Sequence, residues 1–389
     1  MKRNIIHCIV ICLAALVLPV MVACSSQNEP LPDNVKEATL MLNVEQIGAS
    51  RSGSLSDNEK MHSLRVIVLH GSDGTVEHNK FYPLDGPLEQ KYILLKVSPN
   101  EKKRIFLFAN EESVSTVEGV VGVNQTLTTF LNNYTEKMSG FESAVDNLFF
   151  APDYSDNKPI PMSSMYEIDF PEKGNFDGTF YVVRVATKFI VNFINWRDEQ
   201  VTVDNFTISG HADKNFLMAH VQDTPQNQKL FNGKSWIDWL KDVSDASSED
   251  DDYETTEAAG WLKDYELPSS ANTDLTYTHH QAVTVASPTV DIENTSVSKP
   301  GKTTAVFYLP ESKNLKAGAS DGEQQYTMSL NVDGLTEPVT YKLPNLKALF
   351  RNTLVVVNIT MKNLEWKVEV FPYTQIVLNP DFGLDITPQ

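Results

Sequence analysis

Short segments in which apolar and polar residues alternate recur along most of this chain, and they restrict its fold more than any other feature. In residues 38–44, Ala38, Leu40, Leu42 and Val44 fall on one face of an extended strand. Turns rich in Gly, Ser and Asp separate such segments, and long helical patterns are few. The sequence therefore predicts an all-β fold made of β-sandwiches.

The same reasoning predicts strands at residues 64–69, 75–82, 92–97, 104–109, 166–170, 179–185, 188–193, 201–208, 281–292, 304–309, 326–332, 353–361 and 366–372. Helical spacing predicts one or two short helices within 123–149 and a helical insert around 236–240. Residues 24–389 are too many for one ordinary core. We therefore predict two tandem sandwiches that meet near residues 180–186.

The N-terminal residues have the pattern of a secretory signal. Lys2 and Arg3 precede an apolar run at 5–22, which ends at the small residue Ala23. Met21-Val22-Ala23-Cys24 is similar to a bacterial lipobox, with Met in place of the usual Leu. A retained membrane-spanning anchor is the alternative. The polar stretch that follows favours cleavage and lipidation at Cys24, which predicts a lipoprotein tethered outside the cytoplasm.

Cysteine content and net charge exclude several kinds of site and of partner. Cys8 and Cys12 lie in the predicted signal, so after lipidation of Cys24 no thiol remains for a disulfide, a metal site or catalysis. The formal charge is −19, and loss of Lys2 and Arg3 makes it −21. Such a charge repels nucleic acid and anionic lipid, so we exclude both as main partners.

No metal or cofactor is predicted. The acidic tract 242–257 lacks the ligand spacing and fixed glycine of an EF-hand, which favours a solvated loop over a calcium site. His279 and His280 are adjacent, so in a strand they point to opposite faces and cannot share an ion. Four further histidines show no HExxH frame and are expected to be exposed or locally hydrogen-bonded: His70, His78, His211 and His220.

We predict that the chain is not an enzyme, and neither a P-loop nor a GxGxxG pattern occurs in the sequence. A glycosidase remains an alternative, since a facing pair of carboxylates leaves no sequence pattern. Trp236, Trp239 and Trp261 could stack on sugars. The i, i+3 spacing of Trp236 and Trp239 is more typical of a helix packed on a sheet.

The C-terminal tail carries apolar residues with no obvious partner in its own domain. Within 375–386 these residues are Ile376, Leu378, Phe382, Leu384 and Ile386. The tail is either a last edge strand or frayed end, or a strand able to add to the sheet of another molecule.

Several stretches, in this order, carry a family resemblance. They are 56–113, 183–189 (Val-Arg-Val-Ala-Thr-Lys-Phe), 307–311 (Phe-Tyr-Leu-Pro-Glu), 351–353 (Arg-Asn-Thr) and 366–373. Through them most of the chain after the signal resembles the FimA/Mfa-type fimbrillins of Bacteroidales. The resemblance implies two tandem transthyretin-like Greek-key β-sandwiches in a lipoprotein that assembles into a surface fimbria.

In that family an extracellular Arg-specific protease cuts the loop after the first strand, and the strand of another subunit fills the vacated groove. Carried over to this chain, the departing strand presents Ala38, Leu40, Leu42 and Val44, and the cut falls between Arg51 and Ser52. Arg51 is the only arginine between Cys24 and Arg65 and lies in a Gly- and Ser-rich loop. A solvated loop arginine with no such role is the alternative.

The predicted organisation is a signal peptide at 1–23, a lipid-linked propeptide with the first strand at 24–51, and sandwich domains at 52–182 and 183–389. The predicted partners are other fimbrial subunits, the protease and the outer membrane, with a host or bacterial surface ligand left open. A stalk or tip subunit, a lipidated anchor subunit and a surface glycan-binding lipoprotein remain alternatives.

Overall fold

The computed structural model describes residues 38–46, 55–120, 124–220, 222–223, 228–229, 266–290, 298–313, 326–343, 346, 348–363 and 366–371. Strands dominate these residues, which confirms the all-β prediction. All of the described residues belong to one compact unit, and the predicted division at 182/183 remains a prediction. In the described part of the chain, no helix is long and apolar enough to cross a membrane.

The elements of the first half are two short helices, three 3-10 turns and eight strands. The helices are α1 (Leu127–Asn132) and α2 (Phe141–Asp146), and the 3-10 turns are Asp57–Glu59, Glu111–Ser113 and Ser155–Asn157. The strands are β1 (Ala38–Gln46), β2 (Met61–His70), β3 (Val76–Leu88), β4 (Gln90–Val97), β5 (Lys102–Ala109), β6 (Phe149–Phe150), β7 (Met162–Asp169) and β8 (Asn175–Arg184).

The second half contributes sixteen described strands. They are β9 (Thr187–Asn195), β10 (Val201–His211), β11 (Asn215–Phe216), β12 (Gln222–Asp223), β13 (Gln228–Lys229), β14 (Leu275–His279), β15 (Val283–Val285), β16 (Thr289–Val290), β17 (Ser298–Lys299), β18 (Gly301–Leu309), β19 (Ser312–Lys313), β20 (Thr327–Val332), β21 (Val339–Lys342), β22 (Ala348–Leu349), β23 (Thr353–Met361) and β24 (Trp366–Phe371).

Seven strands of the first half form one sheet that folds over on itself, in the order β3-β2-β5-β7-β8-β1-β4. β8 pairs with β7 through Val183 and Arg184 only, and its earlier residues pair with β1. The two ends of the order meet, because the His78 imidazole of β3 donates to the Lys96 carbonyl of β4. One buried apolar cluster, drawn from residues 38–182, fills the space between the two layers.

The second half packs two sheets against each other. One has the order β18-β9-β23-β24, and the other has the order β14-β10-β20-β21 with β15 also on β10. A separate apolar cluster, drawn from residues 189–370, lies between them. A third cluster forms where α1 and α2 pack on the outer face of β2 and β5, as the helical spacing predicts.

Buried polar contacts join the two halves. The Arg351 guanidinium donates to both carboxylate oxygens of Glu311, at 2.8 and 2.5 Å, and to the carbonyls of Phe216 and Leu217. It also lies 3.4 Å from the Ser163 hydroxyl of β7. Two of the stretches that carry the family resemblance, 307–311 and 351–353, therefore meet in one buried ion pair.

Two strand predictions need correction. The strand predicted at 75–82 continues to Leu88 through Pro83 and Pro87. β3 is the terminal strand of its sheet, where a missing proline N–H costs no ladder bond. The strand predicted at 281–292 is two short strands in the described residues, β15 and β16, because Pro288 separates them. The helical insert near 236–240 and the acidic tract lie outside the described residues.

Candidate functional site around the first strand

β1 lies inside its sheet, hydrogen-bonded along both edges. It runs antiparallel to β4, with Ala38 opposite Val97 and Glu45 opposite Gln90. It runs parallel to β8, with Thr39 opposite Asn175. We call the space that β1 occupies between β4 and β8 the slot. Loss of β1 would leave two unpaired strand edges facing each other across the slot.

The inward face of β1 is completely buried. Ala38, Leu40, Leu42 and Val44 are at most 3% exposed, and they belong to the first apolar cluster. This burial follows from the strict alternation of the segment, because every second residue of a strand points to the same side. Burying a side chain as large as Leu or Val contributes roughly 1.5–3 kcal/mol. The predicted first strand and its inward residues are therefore placed as expected.

Aromatic side chains form the floor of the slot. The Phe180 ring packs edge-on against Tyr166, with ring centroids 4.9 Å apart. Phe176 lies between Phe180 and Phe170, with centroid distances of 6.3 and 5.9 Å. These rings and the inward residues of β1 belong to the same cluster. The floor would expose a large apolar surface if β1 left without a replacement.

The Tyr166 hydroxyl holds β8 from the side away from β1. It accepts a hydrogen bond from the Tyr181 N–H at 2.7 Å and donates to the Tyr181 carbonyl at 2.9 Å. At this point β8 has already separated from β7, so the hydroxyl supplies bonds that a ladder partner would otherwise make. Burial raises the pKa of the Tyr166 hydroxyl, which therefore stays protonated and able to donate.

The outward face of β1 is held by a row of polar side chains across three strands, which we call the outer row. The Gln90 amide of β4 donates to Asn43 Oδ1 at 2.7 Å and to Glu45 Oε1 at 2.8 Å. The Asn43 amide donates to Glu45 Oε1 at 2.7 Å and to the Thr179 hydroxyl of β8 at 3.3 Å. Burial, with the Glu45 carboxylate as a smaller cause, raises the pKa of Tyr181 to about 12.

β4 presents large apolar side chains to solvent beside the slot. Tyr92 and Leu94 are 70% and 69% exposed, and they lie opposite Asn43 and Met41 of β1. β4 is the terminal strand of its sheet order. The outward surface next to the slot is therefore apolar at Tyr92 and Leu94 of β4 and polar at the outer row.

From Ser56 onward, the chain is anchored without help from β1. Ser56 and Glu59 form a capping box around the first 3-10 turn, and the Ile160 N–H donates to the Asn58 carbonyl. The Lys188 ammonium of the second half donates to Glu59 at 2.9 Å. Burial opposes ionisation of Glu59, but the cations Arg184 and Lys188 and the hydrogen bonds together lower its pKa below 4.5.

One cluster in the described residues approaches the geometry of a metal site. A ligand atom from each of His70, Glu77 and Glu101 lies within 4.8 Å of the other two. The buried Lys103 ammonium lies 2.5 Å from Glu77 and also contacts Glu101. The chain thus supplies its own cation to these carboxylates, and the sequence patterns gave no indication of this cluster.

The structure brings together the four inward residues predicted for the first strand, but other predicted site residues lie outside the described part. These are Cys24, Arg51, Ser52 and the tail residues Ile376, Leu378, Phe382, Leu384 and Ile386. Sequence reasoning missed Gln90, Thr179 and Tyr166. For Gln90 and Thr179 an alternating pattern shows only that they face outward. Tyr166 was predicted to start a strand, with no indication of its role.

Comparison with known proteins gives structural likenesses only. No family model matches the sequence, and no curated protein matches it. The fold is similar to that of the tip fimbrial protein Mfa3 from Porphyromonas gingivalis with a C-terminal truncation, at 13% identity and a TM-score of 0.48. That match covers 87% of this chain and 99% of the other. A fimbrial assembly protein from Parabacteroides distasonis matches at 12% identity and a TM-score of 0.44, over 86% and 98% of the two chains.

Proposed function

We propose that this chain is a structural subunit, stalk or tip, of a cell-surface fimbria. It is exported as a lipoprotein on Cys24, cut after Arg51 by an Arg-specific extracellular protease, and assembled when the strand of another subunit takes the place of β1. Its activity is assembly, not catalysis. It needs no cofactor, and its partners are further subunits, with the outer membrane as a temporary attachment through lipid.

The observation that carries the proposal is the position of β1. A buried, fully paired strand lies directly before the Gly- and Ser-rich segment that contains Arg51. A cut in that segment severs β1 from the rest of the described chain, which is anchored separately from Ser56 onward. The same cut also separates the lipid on Cys24 from the body of the subunit. Release from the membrane and creation of an acceptor slot are therefore one event.

The energetics favour exchange over simple loss. Leu40, Leu42 and Val44 each contribute roughly 1.5–3 kcal/mol by burial, and ladder bonds on both edges add to this. A cut β1 therefore stays bound until a strand of similar pattern replaces it. A strand that fills the slot restores both ladders and covers the aromatic floor, which favours a long-lived non-covalent junction.

The Arg51→Ala variant tests the proposal. We expect a folded monomer on the cell surface and no fibres, because the strand stays covalently tied to its slot. Lys36→Ala, which changes a basic residue before β1, is the control and should assemble normally. Normal fibres from Arg51→Ala would contradict the processing step. Deletion of residues 375–389 should also stop growth if the tail is the occupant of the slot.

The lipidated anchor subunit is the second candidate, and it differs from a stalk or tip subunit in keeping its first strand. The same Arg51→Ala variant separates the two, because an anchor would function without the cut. A glycan-binding lipoprotein would instead bind polysaccharide and lose that binding on Trp236→Ala or Trp261→Ala.

A further inference from the structure

β1 carries one polar side chain on its inward face, at the last residue of the strand. Gln46 is 7% exposed, and the alternation of buried residues along β1 places it on the inward side. The other inward positions are all apolar and belong to the first apolar cluster: Ala38, Leu40, Leu42 and Val44. The apolar pattern of β1 is therefore broken at one position, next to the Gly- and Ser-rich segment that contains Arg51.

The carboxamide of Gln46 is buried without a partner. Both its amide oxygen and its amide nitrogen are inaccessible to solvent, and no described residue makes a hydrogen bond to either atom. A carboxamide offers two N–H donors and an acceptor, which water satisfies when the strand is in solution. Burial without replacement of those bonds lowers the stability of the state that buries the group. Gln46 therefore weakens the binding of β1 in the slot.

The backbone of Gln46 does not share this defect. Its N–H donates to the Glu89 carbonyl at 3.1 Å, and the residue lies opposite Val182 in the parallel ladder with β8. The ladders of β1 are thus complete up to its last residue. The weakness lies in one side chain, so a substitution at this position can remove it and leave the backbone pairing unchanged.

β23 shows what the corresponding strand of the second half carries at this position. It is also nine residues long and lies between a parallel and an antiparallel partner. Its last residue, Met361, is fully buried and belongs to the apolar cluster of the second half. Thr353, its buried polar residue at the other end, donates its hydroxyl hydrogen to the Phe350 carbonyl at 2.6 Å. The side chains of Gln46 and Met361 are both long and unbranched, so the two positions differ mainly in polarity.

We propose that Gln46 makes β1 a temporary occupant of the slot. A strand with the same ladders and an apolar side chain at this position binds the slot more tightly than β1 does. Before the cut, the covalent connection keeps β1 at a high effective concentration and compensates for the weakness. After the cut this compensation is lost. The inference rests on the proposed function and adds what gives strand exchange its direction.

The uncut chain gives the first test, because it needs no assembly. Gln46→Met removes the buried carboxamide, and the ratio of folded to unfolded protein in urea unfolding should rise about fivefold or more. Gln46→Leu should act in the same direction, which covers the case in which one of the two side chains packs badly. Gln281→Met makes the same change at an exposed position and should leave the ratio unchanged.

The cut protein gives the second test. After cleavage behind Arg51, release of the β1 fragment from Gln46→Met should be slower than from the unsubstituted protein by about fivefold or more. Met361→Gln is the matched reverse change, which buries a carboxamide at the end of β23. It should lower the stability of the uncut chain and leave the release rate of β1 unchanged.

Peptide competition measures the preference of the slot itself. Two synthetic peptides with the sequence of residues 36–46, one unchanged and one with Gln46→Met, are added to the cut protein. The Gln46→Met peptide should displace the β1 fragment at about one fifth, or less, of the concentration that the unchanged peptide needs.

The possible failures can be told apart. If stability does not rise with Gln46→Met or Gln46→Leu, or if the two peptides compete equally, the inference is overturned and strand exchange is left intact. If instead the β1 fragment stays bound in every variant against an excess of either peptide, β1 is not exchangeable. That result would contradict the proposed function, and the inference would fall with it.

Discussion

β1 and β23 occupy equivalent positions in the two halves, but their chain connections differ. Each is a nine-residue strand with a parallel partner on one side and an antiparallel partner on the other. β1 lies between β8 and β4, and β23 lies between β9 and β24. Both bury one face completely in the core of their own half. By their ladders and burial alone, the two strands are equally well held.

The two strands differ in the chain segments that connect them to the rest of the molecule. β23 follows the buried Arg351, and Asn352 donates its N–H to the Ala186 carbonyl. Its antiparallel partner β24 begins at Trp366, five residues after Met361. β1 is followed by the Gly- and Ser-rich segment that contains Arg51, and its partner β4 begins only at Gln90. Under the proposed exchange, it is the covalent context, and not the strength of the ladder, that distinguishes the replaceable strand β1 from the permanent strand β23.

Arg351→Met should have the largest effect on stability, because it leaves the Glu311 carboxylate buried without its cation. We expect a loss of about 3–5 kcal/mol in the free energy of unfolding. Arg197→Met is the matched control, since the ion pair of Arg197 with Glu199 is at the surface and contributes at most about 1 kcal/mol. Urea unfolding at neutral pH measures both. Equal losses would show that β23 is not held by this buried pair.

Leu42→Ala in β1 and Ile359→Ala in β23 form the next test, because both side chains are at most 1% exposed. In the uncut chain each should cost about 2–5 kcal/mol in the free energy of unfolding. After cleavage behind Arg51 the two should differ. Leu42→Ala should speed release of the β1 fragment at least about 30-fold, and Ile359→Ala should leave the release rate unchanged.

Size-exclusion chromatography of the cut protein at successive times measures the release. Fragment release at the same rate from both variants would show that β1 is no more replaceable than β23.

Tyr166→Phe tests whether β8 is held from the side away from β1. Removal of the hydroxyl leaves the Tyr181 N–H and carbonyl without this partner, at a cost of about 1–3 kcal/mol in the free energy of unfolding. Tyr92→Phe, at an exposed position, is the control and should change stability by at most about 0.5 kcal/mol. If Tyr166→Phe also behaved like a surface change, β8 would need no support beyond its ladder with β1.

Glu59 should give the smallest effect, a dependence of stability on pH that arises at the 3-10 turn Asp57–Glu59. Its folded pKa is lowered, so its contribution is fully present above the ordinary value of 4.5. The contribution is lost as the pH falls through the lowered folded pKa. Wild type should therefore exceed Glu59→Gln in stability at pH 7, and the difference should shrink below pH 4.5. Urea unfolding between pH 7 and 3 measures it, and a difference that grows as the pH falls would contradict the assigned sign.

The sequence could predict the strands but not their neighbours. Alternation in residues 38–44 is enough to identify β1 and its inward face, because burial of one face depends on local period alone. Its place between β4 and β8 depends on pairing across long stretches of chain: Asn43 and Thr179 are 136 residues apart. No local pattern specifies such a pairing.

The buried ion pair between Arg351 and Glu311 could not be predicted from the sequence either. Arg351 and Glu311 are 40 residues apart, and charged side chains are almost always exposed, so their burial could not be expected. The inward residues of the site were thus predictable from alternation. The outer row and the Tyr166 hydroxyl required the three-dimensional arrangement.

The N-terminal residue of the protein in fibres from intact cells tests the central claim most directly, because the claim is that β1 is lost from the assembled subunit. The proposed exchange predicts Ser52 as the first residue, with no lipid attached. A first residue at lipidated Cys24 in assembled fibres would contradict it, since β1 would then still be part of the chain.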